Sequence, residues 1–173
     1  RIDFTNDSKG ALLLEPTRTN LFQYSEDFTN AKWEELGIGI GVAPVITSNQ
    51  GISPSGNLDA DKVVFDLSGG TTGADRSILR QRVTTTTSDQ TLSFYAKSEQ
   101  GNKVFSFHFK GAPIGSFTVT EEWQRFEYTE VGIASAVFYG LELNGSTDSD
   151  NATILFWGAQ LEQGSYATSY IPT

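Results

Sequence analysis

Along most of the chain, apolar and polar residues alternate in short runs, and clusters of Gly, Ser, Asn and Asp interrupt them about every ten residues. Alternation with a period of two belongs to strands, whose successive side chains point to opposite faces. The pattern predicts strands at Ala11 to Leu14, Leu21 to Tyr24, Ile38 to Val42, Lys62 to Asp66, Ile78 to Val83, Thr91 to Lys97, Val104 to Lys110, Ser116 to Val119, Trp123 to Tyr128, Ala136 to Leu143 and Thr153 to Trp157. So many short strands exceed one sheet comfortably, and the expectation is an all-β, two-sheet antiparallel sandwich. Helix signals are nearly missing. The only one is "SEDFTNAKW", where Ser25 caps a single short turn and Phe28 and Trp33 pack on the sandwich.

Within "TLSFYAK", Leu92, Phe94 and Ala96 share a core face, and Ser93, Tyr95 and Lys97 share a solvent or ligand face. "VFSFHFK" repeats this, with Phe105, Phe107 and Phe109 inside and Ser106, His108 and Lys110 outside. The two runs are expected to be neighbours in one sheet, joined by the turn Ser98 to Lys103. "EWQRFEY" separates its faces too weakly for an inner one to be assigned. "GIGIG", Gly37 to Gly41, reads as a strand with one bare face or an edge strand open to pairing between protomers, since no helix pattern follows to make it a phosphate loop. Thr84 to Thr87 reads as a connection.

A chain of 173 residues accommodates one core and not two large ones. With 38% hydrophobic residues, including 12 Phe, 6 Tyr and 3 Trp, that core needs no disulfide or metal. Cysteine is absent, which removes zinc-thiolate sites and a Cys nucleophile and leaves the redox compartment open. A net charge of -9 with scattered Lys and Arg argues against nucleic acid and against anionic membranes as partners. No run of about 18 apolar residues predicts membrane insertion, and Arg1 to Phe4 lack a signal-peptide core, so the chain is expected to be a piece of a longer one. Residues 1–10 are read as a connection and 11–173 as a single module.

Candidate chemistry is sparse. His108 is the only histidine, no nucleophile elbow accompanies it, and it is expected at the surface or on a ligand. Asp148 and Asp150 in "STDSDN" and Asp59 and Asp61 in "DADK" read as solvated loop carboxylates. Sugar recognition asks for an aromatic face and planar polar groups. Tyr95 with Arg80, Gln81 and Arg82 from "SILRQRV", joined by His108, Tyr139 and Glu142, are the candidates. The alternative, weighed evenly, makes Tyr95 and Tyr139 packing aromatics and the arginines partners of the surplus acids. Trp33, Trp123 and Trp157 are expected to pack.

"GALLLEPTRTNLFQYSEDFTNAKW" (Gly10 to Trp33) and "WGAQLEQGSYATSYIPT" (Trp157 to Thr173) resemble a module of phage tail-fibre and virion structural proteins, and "SPSGNLDADKVVF" and "QTLSFYAKS" fit its middle. That module is similar to the carbohydrate-binding modules of xylan- and glucan-degrading enzymes. The resemblance implies a galactose-binding-like jelly roll without catalytic activity, on a virion tail or extracellular surface, with polysaccharide or cell-surface glycan as partner. It also implies a structural calcium ion, for which Glu26, Asp27, Gln160 and Glu162 occupy the matching stretches, although Gln160 replaces the Asp usual there. Two functions stay open: a glycan-binding module, or a structural or oligomerisation module that touches no sugar and sits in a homotrimer with its neighbours.

Overall fold

Alternation becomes two stacked sheets in the computed structural model, which describes residues 2–3, 11–12, 15–146 and 150–173. The strands are β1 (Ile2–Asp3), β2 (Ala11–Leu12), β3 (Trp33–Ile38), β4 (Val42–Ile52), β5 (Leu58–Asp66), β6 (Arg76–Thr84), β7 (Asp89–Ser98), β8 (Lys103–Phe109), β9 (Ala112–Val119), β10 (Gln124–Val131), β11 (Ala136–Asn144) and β12 (Asn151–Gln163). Sheet I has the order β10-β7-β12-β5-β4 and sheet II the order β3-β6-β11-β8-β9, while β1 and β2 form a separate two-stranded ladder. Every pairing is antiparallel. Apart from the β8-β9 and β4-β5 hairpins, consecutive strands from β3 onward change sheet, which is the connectivity of a jelly roll.

Between the sheets lies one aromatic core. Phe94 of sheet I faces Phe107 and Phe117 of sheet II at ring-centroid distances of 5.7 and 5.5 Å and touches Phe156 of its own sheet at 5.1 Å. Leu92, Phe94, Ala96, Phe105, Phe107 and Phe109 are all buried, as the alternation predicts, and so are Phe28 and Trp33. Phe126 and Tyr128 settle the inner face of β10 by packing against this cluster.

Three expectations are corrected. First, β7 and β8 are not sheet neighbours: the turn between them carries the chain across the sandwich, so their apolar faces meet instead of lying side by side. Alternation identifies an inner face but is blind to which strand supplies the backbone partner. Second, Ile38 to Val42 is not one strand: Ile38 ends β3, Val42 begins β4, and residues 39–41 turn between them. Gly39 takes a φ of 66°, Gly41 N donates to Ile38 O at 3.1 Å, and the chain turns from β3 into β4 of the opposite sheet. Gly41 is required because a Cβ there would stand 2.4 Å from the Arg76 carbonyl oxygen. Third, Leu21 to Tyr24 is bent chain and no strand: Phe22 N donates to Asn20 Oδ1, and Tyr24 adopts a φ of 55°. Residues 25–32 are likewise turns and bends. Leu13, Leu14, Asp148 and, apart from Ile2–Asp3, the connection 1–10 lie outside the described residues.

Candidate functional site

Strand register decides which of the polar candidates share a surface. On β6, Leu79 and Val83 enter the core, so Arg80 and Arg82 project from the outer face of sheet II. On β11, Tyr139, Leu141 and Leu143 enter the core, and Phe138, Gly140 and Glu142 project outward. Phe138 lies directly opposite Arg82, and Glu34 of β3 directly opposite Arg80.

These pairings build a cleft. Arg80 places its guanidinium 3.8 Å from the Phe138 ring centroid and is fixed by a two-point contact to Glu34, Nε to Oε2 at 3.1 Å and Nη2 to Oε1 at 3.2 Å. Such fork-to-carboxylate geometry holds Arg80 in place. Beside it a recess of about 640 Å³ is lined by Ala31, Lys32, Glu34, Arg82, Ala136 and Phe138. Arg82 donates from Nε to Ala136 O at 3.4 Å and is otherwise exposed. The Phe138 ring is partly exposed, with the guanidinium groups of Arg80 and Arg82 3.8 and 5.9 Å from its centroid, so aromatic surface and planar donors, the groups that saccharide recognition asks for, share one recess.

At the centre of the same face lie His108 and Glu142, both fully buried, with His108 Nδ1 2.6 Å from Glu142 Oε2. Arg76 Nε approaches Glu142 Oε1 at 4.0 Å. His108 is therefore not the surface residue expected; Gly140 sits opposite it and supplies no side chain to displace it. Among the described residues no hydroxyl bonds to the imidazole, and Nε2 has no hydrogen-bond partner. Beyond the pair a second recess, of about 310 Å³, is lined by Ser106, Ser116, Ser146 and Asn144 together with Pro113 and Gly115.

The remaining candidates are elsewhere. Gln81 points inward and pairs with the backbone of Gln23, its Oε1 accepting at 2.8 Å and its Nε2 donating at 2.9 Å. Tyr139 is buried in the core with its hydroxyl 2.8 Å from Thr85 Oγ1, and burial raises its pKa above the ordinary 10.0. Tyr95 is on the outer face of sheet I, packed on Trp157 at 5.5 Å and beneath Arg125, and Trp157 in turn meets Tyr170 at 4.5 Å. The seven residues thus do not form one concavity: Arg80, Arg82, His108 and Glu142 share a face, and Gln81, Tyr139 and Tyr95 do not. Phe138, Lys32 and Glu34 were missed. Strict alternation would have found Phe138, because it shares a parity with Glu142 that Tyr139 does not.

Of the expected calcium ligands, Gln160 and Glu162 are engaged by protein donors and Glu26 and Asp27 in part. Glu162 accepts from Gln160 Nε2 at 2.8 Å, Thr168 N at 2.7 Å and Thr168 Oγ1 at 2.8 Å, while Gln160 Oε1 accepts from Ile171 N at 2.7 Å. Glu26 accepts from Tyr170, and Asp27 from the backbone and hydroxyl of Thr29. Calcium requires six to eight free oxygens. The Tyr170 and Thr29 donors engage one oxygen each of Glu26 and Asp27 and leave the other without a hydrogen bond, and no group of three His, Cys, Asp or Glu able to hold a metal exists among the described residues. The "DADK" carboxylates are not loop residues either: Asp61 is buried on β5, where burial raises its pKa above the ordinary 3.8 even though Phe28 N and Asn49 N donate to it.

No family model matches the chain, and no curated protein matches it by sequence. Its structure is similar to the CBM22-1 xylan-binding domain from Paenibacillus barcinonensis Xyn10C, at 16% identity and a TM-score of 0.55 over 89% of this chain and 100% of that one. TmCBM61, solved in complex with β-1,4-galactotriose, aligns at 15% identity and a TM-score of 0.53 over 84% of this chain and 99% of that one. A cyclase from Fischerella sp. TAU aligns as well, at 9% identity and a TM-score of 0.54 over 88% of this chain and 100% of that one. Likeness at these identities shows the jelly-roll sandwich and no more, and the same fold serves sugar-binding domains and an enzyme.

Proposed function

We propose that the protein is a non-catalytic glycan-binding module whose site is the Phe138 cleft on the outer face of sheet II. The observation that carries this reading is the partly exposed Phe138 ring, covered on one side by the rigidly held Arg80-Glu34 pair, beside an exposed Arg82 guanidinium. The ring offers an apolar face to a pyranose, and the fixed groups offer directional hydrogen bonds to its hydroxyls. Two structural neighbours, a xylan-binding domain and a module solved with β-1,4-galactotriose, support the class of ligand. The wider context proposed here is the one implied by the tail-fibre resemblance: a module on a virion tail or extracellular surface, where repeated copies turn weak single sites into avid ones.

Titration of the isolated chain against a panel of plant and bacterial oligosaccharides tests the assignment. Single-site dissociation constants of about a millimolar are expected for a shallow cleft. Phe138→Leu keeps the apolar packing under Arg80 but removes the ring, and should abolish binding. Loss of binding in Tyr95→Leu together with full binding in Phe138→Leu would move the site to sheet I and sink this assignment.

A second reading, an assembly module, is favoured by one observation. On the outer face of sheet I the cross-strand pairs Val45-Val64 and Ile52-Leu58 are exposed on edge strand β4 and its neighbour β5. Apolar pairs along an open edge suit a subunit contact. Light scattering decides: a stable trimer dispersed by Val45→Lys, without glycan binding, replaces the first reading with the second.

A further inference from the structure

We infer that the Phe138 cleft selects saccharides that carry carboxylates, such as uronic-acid oligomers, over neutral ones; this deepens the glycan-binding reading and rests on it. The chain has 21 acidic residues against 12 Lys and Arg. Around this cleft the reverse holds. Lys32, Arg80 and Arg82 face a single lining carboxylate, Glu34, and both oxygens of Glu34 are taken by Arg80. Lys32 and Arg82 form no ion pair among the described residues. Arg82 donates only its Nε to the protein, at the Ala136 carbonyl, and its guanidinium lies 5.9 Å from the Phe138 ring centroid, so its two terminal nitrogens make no protein hydrogen bond and stay available to a ligand.

Two cations without a carboxylate partner beside an aromatic ring form a composite site. Guanidinium matches a planar carboxylate with two parallel hydrogen bonds, and an ammonium adds a point charge. A uronic acid presents a ring face and a carboxylate on the same rigid unit, which the ring of Phe138 and the cations of Arg82 and Lys32 engage together. Long-range attraction is not the source of selectivity, because the net charge of -9 repels anions at distance. The cations act within about 8 Å, the screening length at physiological salt, on a ligand that stacking has already placed. A flexible polyanion with no stacking face therefore gains little.

Calorimetric titration of the full chain compares oligomers of galacturonic, glucuronic and mannuronic acid with their methyl esters, which keep the rings and lose the charge. At least one acid form is expected to bind about tenfold or more tightly than its ester, a ratio set by charge-assisted hydrogen bonds. In Arg82→Gln and in Lys32→Gln, both at exposed positions, that ratio should fall toward one. Equal affinity for acid and ester forms would overturn the inference while leaving glycan binding intact. Failure of every acidic and neutral oligomer to bind would overturn both. A sulfated oligosaccharide binding as tightly as the best uronate would show general anion capture and overturn the assignment to carboxylates.

Discussion

Replacing His108 by Leu isolates the energetics of the buried pair at the centre of sheet II. Both side chains are fully buried and share a 2.6 Å hydrogen bond. In the variant, Glu142 Oε2 loses its partner, and Oε1 already lacks one, with Arg76 Nε no closer than 4.0 Å. A carboxyl group stranded in this way costs about 3 to 5 kcal/mol of folding stability. For a chain of this size one kcal/mol shifts the melting temperature by about 2 to 4 °C, so the loss corresponds to roughly 6 to 20 °C. Glu142→Leu leaves an imidazole with neither nitrogen bonded and should cost about 1 to 3 kcal/mol. The double variant replaces the whole pair by apolar groups and should return to within about 1 kcal/mol of the wild type. Urea unfolding followed by the fluorescence of the three tryptophans measures all four proteins. A double variant as unstable as the sum of the two single ones would refute the reasoning, since it would mean that the two groups act independently.

Other consequences are as direct. Phe94 is fully buried among Phe107, Phe117, Phe126 and Phe156, so Phe94→Ala should cost about 3 to 5 kcal/mol in the same unfolding assay. Asp75 ties the β3-β4 turn to the loop before β6 by accepting from Ile40 N, Thr72 N and Thr72 Oγ1, with the Thr72 hydroxyl first among the bonds that hold its carboxyl below the ordinary 3.8. A carboxyl whose folded pKa is lowered stabilises the fold above 3.8 and loses that contribution as pH falls through the lowered value. The stability advantage of the wild type over Asp75→Asn should therefore shrink steadily below that pH, and an advantage that grows on acidification would contradict it. Because Gln160 and Glu162 are already saturated by protein donors, millimolar calcium should leave the melting temperature unchanged. A rise reversed by chelator would show that those donors give way to the ion.

Much of the sandwich was legible from local pattern alone. Phe105, Phe107 and Phe109 alternate with polar neighbours, and a strand can bury such a set in only one way, so the inner face of β8 needed no coordinates. The same logic placed Leu92, Phe94 and Ala96, and located most strands to within a few residues. What alternation cannot carry is the identity of the hydrogen-bond partner. Backbone N–H and C=O groups are the same in every residue, so β7 and β8 were assigned to one sheet when the core is made by their facing each other. The candidate site suffered from this twice. Tyr95 and Arg80 carry the right chemistry but project from opposite outer faces of the sandwich, and only the order of the strands separates them. His108 is polar and faces away from the core by parity, yet it is buried, because exposure depends on what else covers a face and not on the strand itself. Local alternation sets which side chains point inward, and which outward ones meet depends on pairings between segments far apart in the chain.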